Sequence, residues 1–328
     1  MADTPLGLST EGAHAPRAGG PKLWTPRVFL GIGLAVAVGL AFILGGADLR
    51  LMTTVWMFAA LAQGWNFIGG YVGYAAFGNV VFFGLGAYAT AAVMTDGGPF
   101  AVGLMVAAVL CAVFAVAVGW AVLRLRGHYF AIATLGVAEA VRELLLNFEP
   151  LGAASGISLP IARDARLFYF LMLGLVVAMV TLTWWIARAR SGYAFLAIRE
   201  NEQAAAALGI NTLRYKILAF AIGACFTGAV GGVYAYWTTF IDPTTVFRPA
   251  LSVEMIAVCL IGGAGSILGP VLGALLFELL VGQVWAHFVS WHQTLLGVAI
   301  VLLVLFLPRG LVSLRPARWL GYGGVRRG

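Results

Sequence analysis

The chain has 328 residues, of which 62% are hydrophobic and only 10% charged, against about half and a quarter in ordinary soluble domains. That balance argues against a water-soluble enzyme or binding module. The formal net charge of +7 includes no basic run interleaved with aromatics, so nucleic acid is not indicated as a partner, and in so apolar a chain Lys and Arg report orientation across a bilayer.

In chain order, residues 1–27 form a polar tail with Pro, Gly and Ser, expected to be disordered. The apolar run 28–46 is too long for a signal-peptide core and reads as a retained anchor. Further candidate spans lie at 51–69, 74–94, 99–122, 128–148, 167–187, 217–237, 249–262, 269–287 and 293–307, each suited to a hydrocarbon core about 30 Å thick. The 74–94 run is studded with Gly and carries Asn79, and 249–262 is short. Each is left open between a full crossing and a broken or re-entrant helix, the latter needing burial in protein or a hydrated cavity. The expectation is an all-α polytopic integral membrane protein with about ten transmembrane helices, some short or broken. Its permease domain would cover 28–310, with a tail at 311–328. Cys111, Cys225 and Cys259 fall singly in apolar runs and suggest neither a disulfide framework nor a metal site.

The basic residues test this arrangement. With the N-terminus in the cytoplasm and ten spans, fifteen of the twenty Lys and Arg fall inside, including Arg124, Arg126, Arg188, Arg190, Arg199, Arg214 and Lys216. Only Arg50, Arg163, Arg166 and Arg248 fall outside, and Arg142 lies within a span. The asymmetry places both termini and the hydrophilic segment 188–216 in the cytoplasm.

That segment, "RARSGYAFLAIRENEQAAAALGINTLRYK", contains a run of strong helix formers from Ala204 to Leu208, with Gly209 where a left-handed C-cap would end the helix. Asn201 or Ser191 is suited to cap its start. Two readings stand at this point. The small side chains suit insertion into a groove on another protein, and they suit a solvated connector equally.

The stretch "RSGYAFLAIRENEQAAAALGINTLRYKILAFAIGACFTGAVGGVYA" closely resembles the cytoplasmic loop and following span of the branched-chain amino acid ABC transporter permeases of the LivM type. "GWNFIGGYVGYAAFGNVVFFGLGAYATA", "RLRGHYFAIATLGVAEAVRELLLN", "VCLIGGAGSILGPVLGALL" and "LFLPRGL" resemble that family's other blocks, in the same order. The resemblance implies a half-channel in a bacterial inner membrane that pairs with a second permease subunit, identical or not. It also implies two cytoplasmic ATPase subunits, an extracytoplasmic substrate-binding protein and transport by alternating access. Branched-chain amino acids would be the first substrates; related permeases carry other amino acids, amides or urea. The loop would be the ATPase-coupling element, formed by Arg199, Glu200, Glu202, Ala204, Ala205, Leu208 and Gly209. Gln203 stands between Glu202 and the alanines, as in this family and unlike the Glu-Ala-Ala pattern of other importers.

A P-loop needs Lys followed by Ser or Thr after a Gly-rich turn. Neither Lys22 in "PKL" nor Lys216 in "YKI" fits, and "GGAGSILG" has no Lys. No cofactor is therefore expected in this chain, ATP being bound by partner subunits. It is not expected to be an enzyme. His287 and His292 are off a shared helical face, and His14 and His128 have no catalytic partner at a useful spacing.

Charges within a bilayer cost about 2.5–3.5 kcal/mol each on insertion scales. Glu139, Arg142 and Glu143 lie at i, i+3 and i+4, which suits a local ion pair. Glu254 and Glu278 are single acids in late spans. Asn79 is the preferred polar wall of a translocation path, although the related permeases often carry His there; Glu139, Arg142 and Glu254 are the other path candidates. Gly228 and Gly232, and Gly265, Gly269 and Gly273 at four-residue intervals, suit close helix packing or a hinge, with Pro270 able to break the second helix at its start. The rival function is an ion-driven secondary transporter or channel, with Glu139, Arg142 or Glu254 in a relay.

Overall fold

The computed structural model describes residues 26–161, 164–287 and Gly297. Residues 1–25 and 311–328 of the expected tails, the 293–307 span apart from Gly297, His292, Arg163 and the "LFLPRGL" block lie outside the described residues. The described chain is helical: α1 Pro26–Ile43, α2 Gly46–Asn66, α3 Val80–Thr95, α4 Phe100–Val122, α5 His128–Leu146, α6 Ala165–Arg188, α7 Arg190–Glu200, α8 Glu202–Ala207, α9 Thr212–Thr238, α10 Pro243–Val246, α11 Pro249–Gly262 and α12 Gly269–His287. Its sheet is one antiparallel pair, β1 Ile157–Ser158 with β2 Phe240–Ile241, which ties the α5–α6 loop to the end of α9.

Among the described residues, four helical stretches are long and apolar enough to cross a membrane: Phe100–Val122, Ala165–Arg188, Thr212–Thr238 and Pro243–Gly262. Shorter apolar helices include Gly33–Ile43, Val80–Thr95 and Gly269–Leu279. The burial of α4 shows what surrounds the bundle. Its buried residues are Gly103, Ala107, Cys111, Ala115 and Gly119, one small side chain every fourth position. The opposite face exposes Met105, Val109, Val113 and Trp120. Such a face is untenable in water and natural in lipid, where small residues bring helices together and large ones meet acyl chains.

Helix α2 is buried from Val55 to Asn66 without a polar face, as befits the centre of a bundle. It packs against α6, α9, α11 and α12, while α9 packs on its other side against α3 and α4. Glycines set these approaches. A side chain on Gly86 would overlap the carbonyl of Gly228, and one on Gly231 the carbonyl of Phe83, so α3 and α9 touch backbone to backbone. Gly64 of α2 and Gly223 of α9 face each other in the same way.

The 74–94 run is broken, as its glycines suggested. Helix α2 ends in a π-helical turn, Phe67–Tyr71, and regular helix resumes only at Val80. Neighbouring groups satisfy the irregular backbone: Thr134 Oγ1 accepts from Phe77 N at 3.1 Å, Ser252 Oγ from Val80 N at 3.0 Å, and Ala76 O from Trp65 Nε1 at 2.8 Å. Non-helical chain persists among buried apolar helices only under that condition. A second irregular segment, residues 263–268, separates α11 from α12 and meets the first. Asn66 Nδ2 donates to Ser266 O at 2.9 Å, and Asn66 Oδ1 accepts from Gly265 N at 2.7 Å.

The glycine series 265–269–273 does not form one helical face. Gly265 sits in the turn with φ +78°, and α12 begins at Gly269 with Pro270 behind it. Pro suits the first helical turn, where its missing N–H is not needed. Gly269 and Gly273 do serve packing: a side chain on Gly273 would overlap the Val258 carbonyl of α11, one on Gly269 would overlap Ser266 Oγ and the Gly263 carbonyl, and one on Gly262 of α11 would overlap the Gly269 carbonyl.

Candidate functional site

The hydrophilic connector between α6 and α9 folds into two short helices. Ala189 separates α7 from α6, and α7 buries Phe195 and Ile198. Asn201 caps α8, its Oδ1 accepting from Gln203 N and Ala204 N at 3.0 Å each; Ser191 has no such role. Gly209 has φ +83°, the left-handed cap that its position foretold.

The two faces of α8 are chemically distinct. Gln203, Ala204, Ala206, Ala207 and Leu208 face outward, and Leu208 is 81% exposed. Ala205 and Glu202 turn toward the bundle. The buried Lys216 ammonium donates to Glu202 Oε1 at 2.8 Å, to Leu123 O at 2.7 Å and to Tyr74 Oη at 3.1 Å, using all three of its hydrogens. Tyr74 Oη donates to Glu202 Oε2, and Arg126 Nε lies 3.6 Å from that same oxygen. Burial opposes ionisation of Glu202, but the bonds from Lys216 and Tyr74 and the charges of Lys216 and Arg126 outweigh it and hold the carboxyl below its ordinary pKa. One carboxylate thus joins α8 to the base of α9, to the broken segment before α3 and to the α4–α5 turn.

Arg199 is also engaged inward: its Nη1 donates to Gly70 O at 2.7 Å, beside the turn at Gly265. Glu200, at the end of α7, is exposed. Of the seven residues expected in the coupling element, Arg199, Glu202 and Ala205 anchor it, while Ala204, Leu208 and Gly209 present its free surface. Sequence reasoning missed Tyr74, Arg126, Leu123, Asn66 and the role of Lys216. A lysine directly before the apolar run 217–237 was the available signal for Lys216; the Leu123 carbonyl had none.

The intramembrane candidates do not converge. Arg142 lies 2.8 Å from Glu139 and 3.2 Å from Glu143, the local pairing that their spacing suggested. Glu254 pairs with Arg248 at 3.0 Å. Asn79 is buried at the start of α3, its Nδ2 without a hydrogen-bond partner among the described residues. Among the described residues, no hydrogen bond or ion pair links the Glu139–Arg142 pair to Glu254 or to Asn79, so they form no relay. Gly228 packs against Cys111 and Gly232 against Thr90 Oγ1, so both pack helices.

A family model described as "Branched-chain amino acid transport system / permease component" matches residues 48–307. The chain belongs to this family. Two relatives named as high-affinity branched-chain amino acid transport system permease protein LivM are each 30% identical to it. The Escherichia coli K12 protein is matched over 94% of this chain and 82% of its own length, and the Salmonella typhimurium LT2 protein over 90% and 79%. The autoinducer 2 import system permease LsrC of Escherichia coli O9:H4 is 33% identical over 30% of each chain. No solved structure matches. The permease is therefore a multi-pass inner-membrane component of an ATP-binding-cassette import system.

Proposed function

We propose that this permease translocates branched-chain amino acids by alternating access, driven by two ATPase subunits that dock on α8. The family and the LivM relatives support the substrate class. In this reading the chain crosses the bilayer ten times with both termini and the 188–216 connector in the cytoplasm, as the distribution of basic residues favours. A second permease subunit completes the path, and an extracytoplasmic binding protein delivers the substrate. Asn79, Glu139, Arg142 and Glu254 remain candidates for its walls.

The observation that carries the proposal is the division of α8 into a free apolar face ending in Leu208 and an anchored face ending in Glu202. An apolar side chain outside the spans, left open on a helix clamped to the bundle, suits a docking partner. A push on α8 would reach α9, α3 and α5 through the Glu202 cluster without a flexible joint. Reconstitution of the permease pair with its ATPases in proteoliposomes tests the reading. Leucine uptake that requires ATP hydrolysis is expected; uptake by this chain alone under an ion gradient would refute it.

A further inference from the structure

At the end of the bundle opposite the connector, a cavity of about 710 Å³ opens among α2, α3, α9 and α11, within the size range of small-molecule sites. Three kinds of group line it. Arg50 and Arg248 provide positive charge. Arg248 pairs with Glu254 but keeps half of its side chain exposed, and Arg50 is exposed with no ion-pair partner among the described residues.

Thr54, Thr238, Thr239 and Thr245 provide hydroxyl groups. Each has already committed its hydrogen: to Arg50 O at 3.1 Å, Tyr234 O at 2.9 Å, Thr238 O at 2.6 Å and the Asp242 carboxylate at 2.5 Å. What they offer the cavity is oxygen lone pairs, which are acceptors. Thr239 also holds φ +61°, a conformation that a β-branched residue rarely adopts and that collects at binding sites.

Met57, Phe58, Phe83 and Leu251 provide an apolar surface. Phe58 lies eight residues along α2 from Arg50, about 12 Å deeper.

We propose that this cavity is a binding site for a small zwitterionic amino acid with an apolar side chain. Its carboxylate meets Arg50 and Arg248, the ammonium meets the threonine oxygens, and the side chain lies on the Phe58 surface. The assignment rests on the importer reading above and places a substrate site within this subunit. An inorganic anion would leave the apolar surface and the acceptors unused, and an apolar solute would leave the arginines unused.

The test uses the complete permease–ATPase complex in phosphatidylcholine nanodiscs without binding protein, with tritiated L-leucine as probe in a scintillation proximity assay. Saturable binding is expected, displaced by L-isoleucine but not by leucinamide, which lacks the carboxylate, nor by 4-methylpentanoate, which lacks the ammonium. Arg50→Gln should weaken binding about tenfold or more, and Arg50→Lys should restore most of it. Three results overturn the proposal: absence of leucine binding while wild-type complex still imports leucine with ATP, displacement by leucinamide as effective as by isoleucine, or retention of phosphatidylglycerol at Arg50 in place of leucine. Failure of the wild-type complex to import leucine at all refutes the importer reading first, and this assignment with it.

Discussion

The Lys216 ammonium lies 2.8 Å from a Glu202 carboxylate oxygen, with only 3% of the lysine side chain and 14% of the glutamate side chain exposed. The pair spans the junction between the connector and the bundle, so removing one partner strands a buried charge. Glu202→Gln is expected to cost about 3 kcal/mol, lowering the thermal midpoint of the purified complex and slowing ATP-driven uptake. The Glu202→Gln, Lys216→Met double variant should lose less than the sum of the two single changes. Additive losses would show that the contact carries no coupling.

The same carboxyl has a definite pH dependence. Its pKa is lowered in the folded protein, so its contribution is fully present above the ordinary carboxylate value of about 4.3 and is lost as pH falls through the lowered value. Amide exchange in α8, corrected for the intrinsic rate, should therefore stay constant from about pH 8 to pH 5. Loss of protection within that window would contradict the assignment of the anchor to ionised Glu202.

Gly209 has open space where a side chain would go, and its constraint is its φ of +83° alone. Gly209→Val should cost about 1–2 kcal/mol locally and misplace the end of α8. ATP hydrolysis is expected to continue while transport falls, with membrane insertion intact. Normal transport by this variant would count against a docking role for α8.

Leu208 tests the outward face. It is 81% exposed, so Leu208→Ser should change the stability of the isolated permease by no more than about 0.5 kcal/mol. Its affinity for the ATPase subunit should fall. Unchanged pull-down of the ATPase would move the docking surface elsewhere.

Packing between α3 and α9 admits no side chain at Gly86. Gly86→Val should prevent stable assembly of the bundle, measured as loss of a monodisperse species after extraction, because the new group would overlap the Gly228 carbonyl. Gly174, beside which there is open space, is the control: Gly174→Ala should leave that species intact.

Composition and periodicity determined the solvent of this protein and much of its order along the chain. Apolar runs of bilayer length, the glycine-rich break before Val80 and the Asn201–Gly209 bracket around α8 were all legible, because each depends on residues close in sequence. The local ion pair of Arg142 with Glu139 and Glu143 was legible for the same reason. The tertiary structure alone decided that Glu202 faces inward, that Arg199 binds a carbonyl 129 positions away and that Asn66 clasps the turn at Gly265. It also decided that Gly265 lies in a turn while Gly269 and Gly273 pack on α11. Helix propensity and burial are properties of a segment, whereas these contacts join segments distant in sequence, some through backbone carbonyls and amides, which have no residue type by which a sequence could announce them.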